Sequence, residues 1–133
     1  MMQEKTKPRL ALVVDDQPMM LRLCQAVLMN LGYRVFKAGS KEEALRILEE
    51  SGTLVTLLIT DIVMSSLYEG IELAAQVVEE FPHIRIIYMS GFSQGAALEK
   101  ILNEKSTLFL QKPFVVTSLE AMVKIAEEPF PPI

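Results

Sequence analysis

Leu57-Leu58-Ile59-Thr60-Asp61 is a short apolar run that ends on a carboxylate. A continuous run of apolar and β-branched residues, ended by a polar residue, is typical of a strand buried on both faces in a parallel sheet. In an open α/β sheet, the carboxyl ends of the strands border the crevice where ligands bind. The sequence therefore places Asp61 in that crevice.

Three further apolar runs end near side chains that can carry chemistry. Because the carboxyl ends of parallel strands lie at one edge of a sheet, three acids, a hydroxyl and an ammonium group are predicted to converge there. The runs are Leu10-Ala11-Leu12-Val13-Val14, followed by Asp15 and Asp16; Ile84-Arg85-Ile86-Ile87-Tyr88-Met89, followed by Ser90; and Thr107-Leu108-Phe109-Leu110, followed by Gln111, Lys112 and Pro113.

Helical patterns alternate with these runs, and Arg34-Val35-Phe36-Lys37-Ala38 supplies one more short strand. This alternation predicts an α/β fold: a single doubly wound domain with five parallel strands, right-handed crossovers and helices on both faces. Two ligand-bearing strands beside a switch point suit the strand order 2-1-3-4-5. The first predicted helix has Pro18 in its first turn and apolar residues at helical spacing over 20–31, and Gly32 ends it. Apolar residues mark the others at 44–48, capped by Ser40 and Glu43; 71–78; 96–102; and 119–125, capped by Thr117 and Glu120 and ended by Pro129.

Composition limits the class of protein. The chain has 133 residues, of which 50% are hydrophobic and 23% charged, so it is expected to fold as one globular domain. We interpret residues 1–8 as a solvated leader, 9–128 as the domain and 129–133 as a proline-rich tail or linker. The net charge of −4 argues against non-specific nucleic-acid binding.

Two further features indicate a cytoplasmic protein. The single cysteine, Cys24, excludes an internal disulfide and fits a reducing compartment. No apolar run approaches the ~20 residues that span a bilayer, so no membrane partner is expected.

The predicted acid cluster needs cations. If Asp15, Asp16 and Asp61 lie ~5 Å apart, each ionised pair costs about 3 kcal/mol at an effective dielectric constant of ~20. Lys112 supplies one positive charge, whereas Lys112 and a divalent ion together would balance three acids. Hard oxygen ligands suit magnesium or manganese rather than zinc. The two cations and the Ser90 hydroxyl would also stabilise a phosphoryl group on Asp61, the candidate nucleophile.

Four segments together resemble the signature of response-regulator receiver domains, the phosphoacceptor modules of two-component signalling. The resemblance covers about 9–128, implies the flavodoxin-like (βα)5 fold and is strongest to receivers of hybrid sensor histidine kinases. The segments are Val13-Val14-Asp15-Asp16, Thr60-Asp61-Ile62-Val63-Met64, Tyr88-Met89-Ser90-Gly91-Phe92 and Phe109-Leu110-Gln111-Lys112-Pro113-Phe114.

The resemblance implies a role for each matching residue. The protein would accept a phosphoryl group from a histidine kinase or a histidine phosphotransfer domain and change its interaction surface, with no enzymatic activity beyond its own phosphorylation and slow dephosphorylation. Linked kinase domains in a hybrid protein are possible partners. The implied roles are phosphoacceptor for Asp61; ligands of Mg²⁺ or Mn²⁺ for Asp15, Asp16, Asp61 and the Val63 carbonyl; switch residues for Ser90 and Phe109; phosphate binding for Lys112; and a cis peptide at Lys112-Pro113.

The sequence departs from the family pattern beside Asp61. Ser65 stands where proline is common, and the loop after Asp61 is one residue longer than the usual form. Gln17 stands where an acid is frequent. In the receiver fold, Val63 and Phe92 would line the path of attacking water, and neither can position a water molecule.

Two other functions are compatible with parts of the pattern. A degenerate receiver could act only as an interaction module, although the complete set of acids, hydroxyl and lysine argues against this. A magnesium-dependent phosphatase with an aspartyl nucleophile would, as a family, need a second aspartate at the position of Val63. Any one of the aspartates could be a simple helix cap, but all three together with Lys112 are poorly explained that way.

Overall fold

A computed structural model describes residues 9–64, 68–91 and 108–129. The predicted leader 1–8 and the predicted helix 96–102 lie outside the described residues, as does Phe92. No helix in the described ranges is both long and apolar enough to cross a membrane. The elements are β1 (Arg9–Val14), α1 (Pro18–Asn30), β2 (Tyr33–Ala38), α2 (Lys41–Ser51), β3 (Val55–Asp61), α3 (Glu69–Glu80), β4 (Arg85–Ser90), β5 (Leu108–Gln111) and α4 (Val116–Ala126).

The strands form one parallel sheet in the order β2-β1-β3-β4-β5, which confirms the predicted topology. The central strand is β3, and each of its residues except Thr56 is buried. Because β1 and β4 lie on either side of β3, Asp15, Asp61 and Ser90 come to the same edge of the sheet. The topology alone thus assembles most of the predicted site.

Apolar layers cover both faces of the sheet, which is why the strands are continuously apolar rather than alternating. In β3, Leu57 and Ile59 pack in the layer that contains α1 and α4. Leu58 packs in the layer that contains α2 and α3. Successive side chains of a strand point to opposite faces, so a doubly covered strand needs apolar residues at every position.

Two predicted helix boundaries are confirmed. The Ser40 side chain accepts a hydrogen bond from the backbone nitrogen of Glu43, at 3.1 Å, and so caps α2. The Glu43 carboxylate binds the backbone nitrogen of Gly39, at 2.6 Å, rather than that of Ser40. After α1, Gly32 has a φ of +96°, a conformation that glycine adopts without steric cost.

The predicted cap of the last helix is wrong. α4 begins at Val116 after Val115, and no side-chain hydrogen bond caps it. The backbone nitrogens of Ser118 and Leu119 already donate to the Val115 carbonyl, so Thr117 lies inside the first turn and is not the N-cap. The helix ends at Ala126, before Pro129 is reached.

A polar cluster at the opposite edge of the sheet fastens the end of α4. The Glu127 carboxylate accepts a hydrogen bond from the Tyr33 hydroxyl, at 2.7 Å, and pairs with Arg9. The Arg9 guanidinium also stacks over the Tyr33 ring, 4.6 Å from its centroid. Burial and the adjacent Glu127 carboxylate raise the pKa of the Tyr33 hydroxyl, which therefore stays protonated and donates. The carboxyl end of α4 is thus attached to β1 and β2, far from the acids.

Candidate functional site

Asp15 follows β1 and is completely buried. Its backbone nitrogen donates to the Ala38 carbonyl, at 3.0 Å, which continues the β1–β2 pairing by one residue. One carboxylate oxygen accepts a hydrogen bond from the backbone nitrogen of Gln17, at 2.9 Å. The other is 2.8 Å from the Lys112 ammonium nitrogen. The carboxylate is therefore fixed on both of its oxygens.

Asp61 is the last residue of β3, and only 6% of its surface is exposed. Its Oδ1 accepts from the backbone nitrogen of Val63, at 3.3 Å, and its Oδ2 is 3.1 Å from Lys112 Nζ. The next residue, Ile62, donates its backbone N–H to the Met89 carbonyl, at 2.9 Å. Asp61 is thus anchored to β4 as well as to the lysine.

Lys112 lies between the two buried carboxylates, although it comes from the far edge of the sheet. Its backbone nitrogen donates to the Ser90 carbonyl, at 2.9 Å, and so aligns the end of β5 with the end of β4. The peptide bond between Lys112 and Pro113 is cis. From this position the ammonium group bridges Asp15 and Asp61.

The three aspartates form one cluster with the geometry of a cation site. Asp15, Asp16 and Asp61 each offer a carboxylate oxygen, and these three atoms lie within 4.8 Å of one another. They are also the only aspartates in the chain, since every other acid is a glutamate. Asp16 is exposed, so the cluster opens to solvent on one side. Three hard oxygen donors around a space reached by water fit a divalent cation such as magnesium.

The electrostatics of the cluster also favour an added cation. Burial raises the pKa of the Asp61 carboxyl; the Lys112 charge opposes this rise, and the Asp15 charge adds to it. Burial lowers the pKa of the Lys112 ammonium, but hydrogen bonding to Asp15 and attraction by both carboxylates raise it above its ordinary value. Lys112 is therefore protonated, but its single positive charge does not balance the negative charges of both buried carboxylates.

Comparison with known proteins identifies the family. A family model described as the response regulator receiver domain matches residues 11–124. The chain belongs to this family.

Curated and solved relatives agree with this assignment. The chain is 33% identical over 119 residues to the response regulator receiver protein CpdR of Brucella abortus, covering 86% of this chain and 96% of CpdR. It is 32% identical over 113 residues to the sensor kinase CckA of the same species, where the match covers 85% of this chain but spans 12% of the kinase. A receiver protein structure from Sinorhizobium medicae superposes with a TM-score of 0.76 at 27% identity, covering 90% of this chain and 94% of that one.

The two expected switch residues of this receiver domain lie on neighbouring strands. Ser90 ends β4 and is completely buried, at the same edge of the sheet as Asp61. Phe109 lies in β5, is partly buried and is in register with Tyr88 of β4. Phe109 thus lies two residues before Gln111, the residue of β5 that is in register with Ser90.

Gly70 is a further residue of the site that none of the four sequence motifs contains. A Cβ atom on Gly70 would lie 1.8 Å from the carbonyl oxygen of Asp61, so the second residue of α3 must lack a side chain. The backbone nitrogen of Gly70 donates to the Ile62 carbonyl, at 3.0 Å. A glycine at the start of a helical pattern was the available signal, because better helix formers are preferred there.

Proposed function

We propose that this receiver domain accepts a phosphoryl group on Asp61 from the phosphohistidine of a histidine kinase or phosphotransfer protein, in a magnesium-dependent reaction. The observation that carries the proposal is the Lys112 ammonium group, which bridges the buried carboxylates of Asp15 and Asp61. One carboxylate would be enough to balance the charge of this lysine, so its position beside two carboxylates is not explained by a simple ion pair. An ammonium group beside Asp61 is well placed to stabilise a phosphoryl group that carries several negative charges.

The proposed reaction needs one bond exchange. A carboxylate oxygen of Asp61 attacks the phosphorus while the bond from phosphorus to the histidine nitrogen breaks, and the imidazole leaves with that electron pair. Lys112 would pair with one phosphoryl oxygen, and the Ser90 hydroxyl would donate to another. Asp15, Asp16, Asp61 and the Val63 carbonyl would hold magnesium, which supplies the positive charge that makes attack by an anion on an anion possible.

An apolar rim beside the acid cluster supports docking of the donor protein. Met19, near the start of α1, is 73% exposed, and Val115, just before α4, is 64% exposed. Both helices lie on the same face of the sheet and begin at the edge that carries the acids. Large apolar side chains left in solvent around a polar pocket suit a protein partner that covers them while its phosphohistidine enters.

The phosphoryl transfer is tested by trapping. Incubation with magnesium and acetyl phosphate should add the mass of one phosphoryl group to the intact wild-type protein, and Asp61→Asn should remove this gain. Glu79→Gln removes the same charge from an exposed position on α3 and should label normally. Because all aspartates of the chain lie in the cluster, peptide mapping that found the label on a glutamate would overturn the assignment.

A second expected result concerns the switch. Beryllofluoride with magnesium imitates the phosphoryl group and should draw Ser90 toward Asp61, which lets Phe109 turn inward and alters the surface shared by β5 and α4. Amide chemical shifts should therefore change around Asp61 and Phe109, but not at Glu127, where α4 is fastened by Arg9 and Tyr33.

Ser90→Ala should keep the shifts around Asp61 and lose those around Phe109. Shifts confined to Asp61 in the wild type would show that the hydroxyl and the ring are not coupled.

A further inference from the structure

Glu69 is a buried acid outside the aspartate cluster. It is the first residue of α3 and is only 5% exposed. Its Oε2 accepts a hydrogen bond, at 2.9 Å, from the backbone nitrogen of Lys41, the first residue of α2. An ionised carboxylate at the amino end of a helix makes a charge-assisted bond with a group that the helix itself leaves unpaired. This contact joins the amino ends of α2 and α3, which lie 28 residues apart in the sequence.

The contact lies at the far end of the loop that follows Asp61. The loop leaves the sheet through Ile62, whose N–H donates to Met89, and it closes where the Gly70 nitrogen donates back to the Ile62 carbonyl. Between these points lies Val63, whose N–H binds Asp61 and whose carbonyl is the proposed fourth ligand of magnesium. Glu69 directly precedes Gly70, so its bond to Lys41 holds the end of this loop against the start of α2.

The bond between Glu69 and Lys41 is also connected, through the chain after β2, to Asp15 of the aspartate cluster. Lys41 follows Gly39 and Ser40, which continue from the end of β2. There the Ala38 carbonyl accepts the backbone N–H of Asp15. The ends of β1 and β2 are therefore connected by a backbone hydrogen bond, and the Glu69 carboxylate links the start of α2 to the end of the loop after β3, beside the ion pair of Lys41 and Glu72.

We propose that Glu69 is a positioning residue for the cation site: by binding the amino end of α2, it fixes the loop that carries Val63 relative to Asp15 and Asp61. This inference rests on the magnesium site of the proposed function. Groups that orient metal ligands typically contribute a 10- to 100-fold change in metal affinity. Glu69→Ala should accordingly weaken magnesium binding about tenfold or more, although it removes no ligand.

The experiment is a magnesium titration by calorimetry on the full chain. Glu69→Gln keeps an acceptor and should recover most of the affinity lost in Glu69→Ala. Lys41→Pro removes the donor instead: proline is well accepted as the first residue of a helix, and Ser40 has the extended backbone that precedes proline. Lys41→Pro should also weaken magnesium binding, and the loss of affinity in the double variant should be smaller than the sum of the two single losses.

Two controls separate this bond from the exposed ion pair beside it. Lys41→Ala and Glu72→Ala each remove the pair between the Lys41 ammonium and Glu72, at 3.2 Å, and leave the Lys41 N–H in place. Both should bind magnesium as the wild type does. A Glu69→Ala protein that melts earlier but binds magnesium with unchanged affinity would overturn the inference, and so would normal affinity in Lys41→Pro. Absence of binding in the wild type would overturn the magnesium site itself.

Discussion

Magnesium at about 100 times its dissociation constant should raise the melting temperature of this receiver domain by roughly 10 °C. A ligand that binds only the native state stabilises it by about 2.7 kcal/mol at that excess. For a chain of this size, each kcal/mol corresponds to about 3–5 °C. The physical reason is the buried pair Asp15 and Asp61, which Lys112 alone does not neutralise. Thermal scans with and without magnesium measure the effect.

Asp16→Asn is the matched variant for this measurement. It should slightly raise the melting temperature without metal, because it removes one negative charge from the cluster, and it should abolish the response to magnesium. Glu79→Gln changes the net charge equally on exposed α3 and should keep the full response. Sodium chloride at equal ionic strength separates binding from charge screening. A wild-type melting temperature that magnesium leaves unchanged would exclude the site.

The strands of the sheet could be predicted because each one is marked by a short pattern of neighbouring residues. Each strand is an apolar run with a polar end, as in Leu57–Asp61, and the observed strand limits differ from the predicted ones by no more than two residues. Parallel pairing and right-handed crossovers then leave few arrangements. The convergence of Asp15, Asp61 and Lys112 follows from that topology, since all three stand just at or beyond strand ends.

The contacts that could not be predicted from the sequence join segments that lie far apart in the chain. The Glu69 carboxylate meets the nitrogen of Lys41, and Glu127 meets Arg9 and Tyr33, so neither contact has a pattern that a sequence window could reveal. The Thr117 cap was wrong for a different reason. Periodicity does not show that α4 already begins at Val116, with Val115 as its N-cap residue, which places Thr117 inside the helix.

The second large effect concerns the lifetime of the phosphoryl group. An acyl phosphate is hydrolysed when water attacks in line, opposite the Asp61 oxygen. By resemblance to the family, Val63 and Phe92 are the side chains beside that path, and neither can donate or accept a hydrogen bond. We therefore expect slow self-hydrolysis. Loading should be easy nonetheless, because a Cβ atom on Gly91 would lie 4.0 Å from Lys112 Cβ and meet no other atom of the described residues at that distance, which leaves room for a phosphodonor on that side.

Val63→Asn together with Phe92→Glu should shorten the lifetime about 100-fold, the usual contribution of a group that positions water or acts as a general base. The change at Val63 keeps the backbone N–H that binds Asp61 Oδ1, so loading is expected to survive. Phosphate release from protein loaded with acetyl phosphate measures the rate. Val63→Ile is the control beside the site, and Val78→Asn adds the same polar group on the exposed face of α3; both should release phosphate at the wild-type rate. If the double variant releases phosphate no faster, these two side chains do not control the lifetime, and a partner protein must then terminate the signal.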